Sequence, residues 1–261
     1  MLHYTLFCPS CLPAFFFDFK KKVLTYHKTG QRLNAFEFNL PTDIAEQRQI
    51  VSAFTSIDTY ISALQSLIAK YEAIKKATVN LLLKPKSDWK QIAIGDVFEI
   101  KVGGDLDATH YSARRTYDCK YEVVSNSLAN HGVYGYTSLP KFPADSITIT
   151  GRGSIGHAEY RESPFDAIVR IVVLSPVSVI VCSKFIASLI NAASPFLIES
   201  TGVPQLTAPQ ISATKITIPP LKEQKRIMKT LDSIDSTISG LKSQLAKAQD
   251  IKQGMMSYFF G

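Results

Sequence analysis

The chain is predicted to belong to the α+β class: a mixed α/β domain lies between two long helices that pair as an antiparallel coiled coil. Three observations predict this. One stretch of sequence occurs twice, each copy carries apolar residues at heptad spacing, and the segment between the copies alternates short β-rich runs with glycine- and asparagine-rich connections.

The repeat begins at Glu46-Gln47-Arg48-Gln49-Ile50, which matches Glu223-Gln224-Lys225-Arg226-Ile227 at a constant offset of 177. Ser56-Ile57-Asp58 falls on Ser233-Ile234-Asp235 and Ile74-Lys75 on Ile251-Lys252, so that about 14 of the 38 positions from Glu46 to Leu83 are identical without a gap. In the first copy the apolar seam is Ile50, Phe54, Ile57, Ile61, Leu64 and Ile68; in the second it is Ile227, Leu231, Ile234, Ile238, Leu241 and Leu245. Steps alternating four and three keep such residues on one face only when helices supercoil. Pro41 and Pro219-Pro220 suit the entry to each helix, and Asp43 with Glu46 suggests a capping box. Because a compact domain separates the copies, they are expected to pair within one chain, with Ile57, Ile61 and Leu64 against Ile234, Ile238 and Leu241. The sequence thus divides into 1–39, helix one at 40–86, the domain at 87–217 and helix two at 218–261.

Within the domain, Gln91 to Val102, Ser146 to Thr150, Ile168 to Leu174 and Val177 to Cys182 read as strands, and Ser183 to Ala193 as a short helix. Gly151-Arg152-Gly153-Ser154-Ile155-Gly156 satisfies a dinucleotide-binding pattern. However, the residues after it, His157 to Pro164, form a second short strand instead of the helix needed to hold a pyrophosphate, so a tight β turn is expected.

Composition narrows the function classes. The net charge is +7, yet residues 86–217 carry twelve positive and twelve negative charges, so the excess lies outside the domain. Net charge is therefore weak support for nucleic-acid binding. Cys8 and Cys11 have metal spacing but no second pair follows, and the histidines His3, His27, His110, His131 and His157 show no paired ligand spacing. No catalytic residue, metal or cofactor is expected. No apolar run reaches the roughly 18 residues of a membrane span, and the N-terminus lacks the basic start of a secretory signal, so a cytoplasmic protein without membrane contact is expected. The polar loop residues do suit base edges and phosphates: His110, Tyr111, Arg114, Arg115, Tyr117 and Lys120; then Asn126, Ser127, Asn130, His131, Tyr134 and Tyr136; then Arg152, Ser154 and His157.

Ile218-Pro219-Pro220-Leu221-Lys222-Glu223-Gln224-Lys225-Arg226-Ile227, opening a heptad helix, resembles the conserved region of type I restriction-modification specificity subunits, and Leu40-Pro41 to Glu46-Gln47 is a looser copy. Trp89-Lys90 to Ile100, Ile149 to Gly156, Ser200-Thr201-Gly202 with Pro204-Gln205-Leu206, and Ile216 to Pro219 resemble that family's target recognition domain. The resemblance implies a non-catalytic subunit that reads double-stranded DNA and directs modification (methyltransferase) and restriction subunits to it. It also implies that each recognition domain reads half of a split target, with the helices fixing the gap. Thr29-Gly30-Gln31-Arg32-Leu33 resembles the closing stretch of a recognition domain, so residues 1–39 are expected to be the remnant of a first one. A chain with one complete domain then fits a truncated gene, a recombination cassette or a functional half-subunit, and the leading expectation is a specificity subunit or a half of one, for which a homodimer is one arrangement. Under this resemblance the candidate DNA-binding residues are Lys101, His110, Arg114, Arg115, Lys120, Asn126, Asn130, His131, Arg152, Ser154 and His157. The competing expectation is a coiled-coil protein-interaction adaptor, or an inactive recombination cassette product, that recognises no DNA.

Overall fold

A computed structural model describes residues 41–168, 170–196 and 205–260. The expectations for residues 1–39, with Cys8, Cys11, His3 and His27, and for the Ser200 to Pro204 stretch fall outside the described residues. The chain divides into two compact units. One combines the first helix up to Ile74 with residues from Ile234 onward, and the other is Lys75–Ser233.

The first unit is built from two helices, α1 (Ile44–Leu82) and the larger part of α4 (Leu221–Phe260). Their first residues stand 177 apart, the offset of the sequence repeat. Neither glycine nor proline interrupts α1, and Pro85 follows its end. Asp43 caps it by accepting the Ala45 N–H at 2.9 Å. Gln47 donates its side-chain amide to the Pro41 carbonyl at 2.7 Å, a contact different from the capping box expected of Glu46.

The helices run antiparallel, with Asp58 bound to Lys252 and Glu72 to Lys242, each at 2.8 Å, and Phe54 edge-on to Phe259 at 6.3 Å. Ile50, Phe54, Leu64, Ile68, Ile238 and Ala248 are buried in this unit. Ile57, Ile61, Ile234, Leu241 and Leu245 are half-buried. The register differs from the expected one. Pairing Ile61 with Ile238 would set Asp58 near residue 241, whereas it meets Lys252; the shift is close to two heptads. Sliding by whole heptads returns apolar seam to apolar seam, so periodicity alone does not fix the register.

Among the described residues, the second unit holds three sheets. β1 (Lys90–Ala93) pairs antiparallel with β10 (Lys215–Ile218), so the strand after α1 and the strand before α4 lie side by side. A four-stranded antiparallel sheet runs in the order β2 (Phe98–Val102), β9 (Ile171–Pro176), β6 (Ser146–Thr150), β7 (Ala158–Arg161). A second runs in the order β3 (Tyr111–Ser112), β5 (Val133–Thr137), β4 (Tyr121–Val124), β8 (Phe165–Ala167), with β4 and β8 parallel. Besides the ends of α1 and α4, the described residues of this unit form the helices α2 (Ser183–Ala193) and α3 (Ala208–Ala213).

Side chains alternate along β9 and bind two cores together. Val172 and Leu174 enter the larger core with Ile147, Ile149, Phe185, Ile186 and Ile190, while Ile171 and Val173 enter the smaller one with Val124, Phe142, Phe165 and Ala167. The expected strand at Val177 to Cys182 is a loop, in which Val179 stands 88% exposed. Ile227 and Leu231, expected in the coiled-coil seam, instead pack in the larger core with Leu83 and Trp89. Gln224 seals this junction. Wholly buried, it accepts the Cys182 N–H at 2.9 Å and donates to the Ile180 and Pro219 carbonyls at 3.0 and 2.8 Å.

Candidate nucleic-acid interface

A cleft of about 500 Å³ opens in the second unit. Arg115 and Lys120 enter it from the loop before β4, Tyr121 from β4, and Tyr136 from β5. Asn130 and His131 reach it from the turn between those strands, and Glu159 to Pro164 line it from β7 onward. Lys120 lies over the Tyr121 ring at 5.3 Å, a cation held by an aromatic face. The cations are matched by Glu122, Glu159 and Glu162, so the cleft is a polar surface of both signs.

The turn from β4 to β5 is tightly defined. Asn130, His131 and Gly132 take φ of 48°, 53° and 77°, three successive left-handed residues. Ser125 N–H binds the Gly132 carbonyl at 2.8 Å, and a Cβ at Gly132 would stand 2.9 Å from the Ser125 carbonyl, so glycine is required there. Arg161 donates Nη2 to the His131 carbonyl at 2.8 Å and Nε to Thr148 Oγ1 at 3.0 Å. Its side chain is only 7% exposed, and Glu122 is 3.7 Å away. Burial pushes the guanidinium pKa down, against the opposing pull of Glu159 and Glu122. Glu159 joins two histidines, to His131 Nδ1 at 2.8 Å and to His157 Nε2 at 3.2 Å.

Of the residues read from sequence, Arg115, Lys120, Asn130 and His131 meet in the cleft, and His157 is tied to it through Glu159. The others stand apart. Lys101 on β2 pairs with Glu99 at 3.0 Å. His110 pairs with Asp107 at 2.9 Å, and Arg114 is exposed beyond Ser112. Asn126 is a tie within the fold, its Oδ1 accepting the Gly151 N–H at 3.2 Å. Arg152 sits on the turn joining β6 to β7 and gives Nε and Nη2 to Gln205 at 3.1 and 2.7 Å. Ser154 is exposed on the same turn, where its carbonyl accepts the Thr150 hydroxyl. The glycine-rich stretch is thus a hairpin turn, as expected. Sequence reading missed Tyr121, Glu159 and Arg161. The available signal was alternation: Glu159 and Arg161 project to one side of a short strand that follows the glycine turn.

Residues 86–249 match the family model for the type I restriction modification DNA specificity domain. The chain belongs to this family. The chain is 25% identical over 218 residues to a Mycoplasma pneumoniae protein described as type I specificity subunit S.MpnORF507P, an overlap of 82% of this chain and 59% of the relative. The specificity subunit of the type I restriction enzyme MpnII, from the same organism, is 23% identical over 167 residues, covering 64% of this chain and 50% of that one. The chain therefore spans about half to three-fifths of these relatives, although it spans 87% of a shorter one, S.MpnORF365P, at 20% identity. In fold it is similar to the type I restriction-modification S subunit of M. genitalium, with a TM-score of 0.61 at 18% identity over 84% of this chain and 62% of that one. The HsdS subunit of Thermoanaerobacter tengcongensis gives 0.54 at 18% identity over 83% and 58%.

Proposed function

We propose that this chain is the non-catalytic DNA-reading component of a type I restriction-modification complex, placing modification and restriction subunits on a double-stranded half-site. The observation that carries this reading is the cleft. Within a domain of the specificity family it gathers Arg115, Lys120, Asn130 and His131, the donor and acceptor types that suit phosphates and base edges, beside three tyrosines, Tyr121, Tyr136 and Tyr160. The described helices contain none long and apolar enough to cross a membrane. The reading places the chain in the cytoplasm, with the DNA it recognises.

The partner surface is assigned to the two-helix unit. Tyr60, Leu67 and Ile74 recur every seven residues on α1, as do Ile251 and Tyr258 on α4, and all are 38% exposed or more. In an antiparallel pair these equivalent positions flank the seam on one side, and the Glu72–Lys242 ion pair marks the other. An apolar edge with helical spacing suits a helix of the modification subunit.

The test is to co-purify the chain with its cognate modification subunit, measure duplex affinity against salt, and map methylated sites genome-wide. Binding that falls steeply with salt and methylation at one motif support the reading; phosphate contacts by Arg115 and Lys120 should each contribute about 1 to the salt slope. Salt-independent binding with no methylation motif would favour a protein-interaction adaptor.

A further inference from the structure

Two successive non-glycine residues in the left-handed region are sterically costly, and such conformations persist only where the surroundings impose them. Here a buried cation braces them, together with the Ser125 N–H on the Gly132 carbonyl. Arg161 spends its Nη2 on the His131 carbonyl and its Nε on Thr148, and so holds the turn from below. The result is an Asn130 side chain exposed at the cleft with no hydrogen-bond partner among the described residues. A carboxamide carries a donor and an acceptor side by side, which matches N7 and N6 of adenine in the major groove.

Resting on the DNA-reading function above, we propose that Asn130 reads one adenine of the half-site and that Arg161 is the positioning residue that sets its aim. Arg161 is too buried to reach a phosphate, so it shapes sequence preference without adding to the salt slope. Lysine does not replace it, since a single ammonium lacks the planar fork that serves Thr148 and His131 together.

The full chain, in complex with its own modification subunit, is presented with a randomised duplex library, and the bound fraction is sequenced. Asn130→Ala should lower the preference for adenine at one position by roughly 5- to 150-fold, the loss of one bidentate pair, with the salt slope unchanged. Arg161→Met should flatten the same position, and the double variant should lose nothing further there, since both act through one contact. Full adenine preference retained in Asn130→Ala overturns the proposal. So does an Arg161→Met that weakens every position alike or adds its loss to that of Asn130→Ala. If Arg161→Met does not fold, judged by fluorescence of Trp89, Arg161→Lys takes its place and should flatten the same position. A wild-type complex that prefers no sequence refutes the DNA-reading function itself, which separates that failure from this one.

Discussion

Asp107 keeps its carboxyl ionised well into acid. Hydrogen bonds from Thr109, then from His110, hold its pKa down to about 2 from the ordinary 3.8. Because the folded value lies below the unfolded one, the stabilisation is complete above about pH 4 and is lost as pH falls through 2. NMR titration of the Asp107 carboxyl should give a midpoint near 2, and Thr109→Ala should move it back towards 3.8. A midpoint already at the ordinary value in the wild type would refute the contact. Gln224 is a second single-residue dependence. Gln224→Ala removes the partner of the Cys182 N–H, of the Ile180 carbonyl and of the Pro219 carbonyl, the last a buried contact, and should cost about 1–3 kcal/mol, read as a lowered denaturation midpoint. Arg161 shows why some residues escape sequence reading. An isolated arginine in a polar stretch reads as solvated, and it is buried here only because a threonine one strand away and a carbonyl from the β4–β5 turn satisfy it.

Among the elements, the helices were the most legible, because duplication and heptad spacing are independent signals of one object. Their register was not legible, since two heptads of slippage leave every apolar contact equivalent; the charged pairs Asp58–Lys252 and Glu72–Lys242 distinguish the registers. In the specificity domain, β6 was readable as a β-branched run that is buried throughout, and α2 by its apolar stripe. β3 and β4 were not readable. They are two and four residues long, with Tyr111 and Tyr121 only half-buried, between loops longer than the strands. Two substitutions separate the two sides of α1. Leu64→Asp puts a charge into the buried seam and should cost about 3–5 kcal/mol in thermal unfolding. Leu67→Asp lies on the exposed edge, so it should change stability by less than about 0.5 kcal/mol yet reduce co-purification with the modification subunit. Equal behaviour of the two variants in both assays would remove the assignment of that edge to a partner.

At the scale of the whole molecule, the described residues hold one specificity domain. On the DNA-reading function proposed above, one such domain covers part of a groove, and a module of that size gives modest specificity by itself. Two copies about a two-fold axis would read identical half-sites in opposite orientation, so methylation mapping should return an inverted repeat around a fixed spacer. An asymmetric or uninterrupted motif rules that assembly out. Gln224 has a practical consequence for such work. A neutral amide neither titrates nor is screened, so the seal it makes between helix and domain is indifferent to ionic strength, whereas phosphate contacts are not. A wash at about 1 M salt should therefore strip nucleic acid from the protein while Trp89 fluorescence reports an unchanged interior.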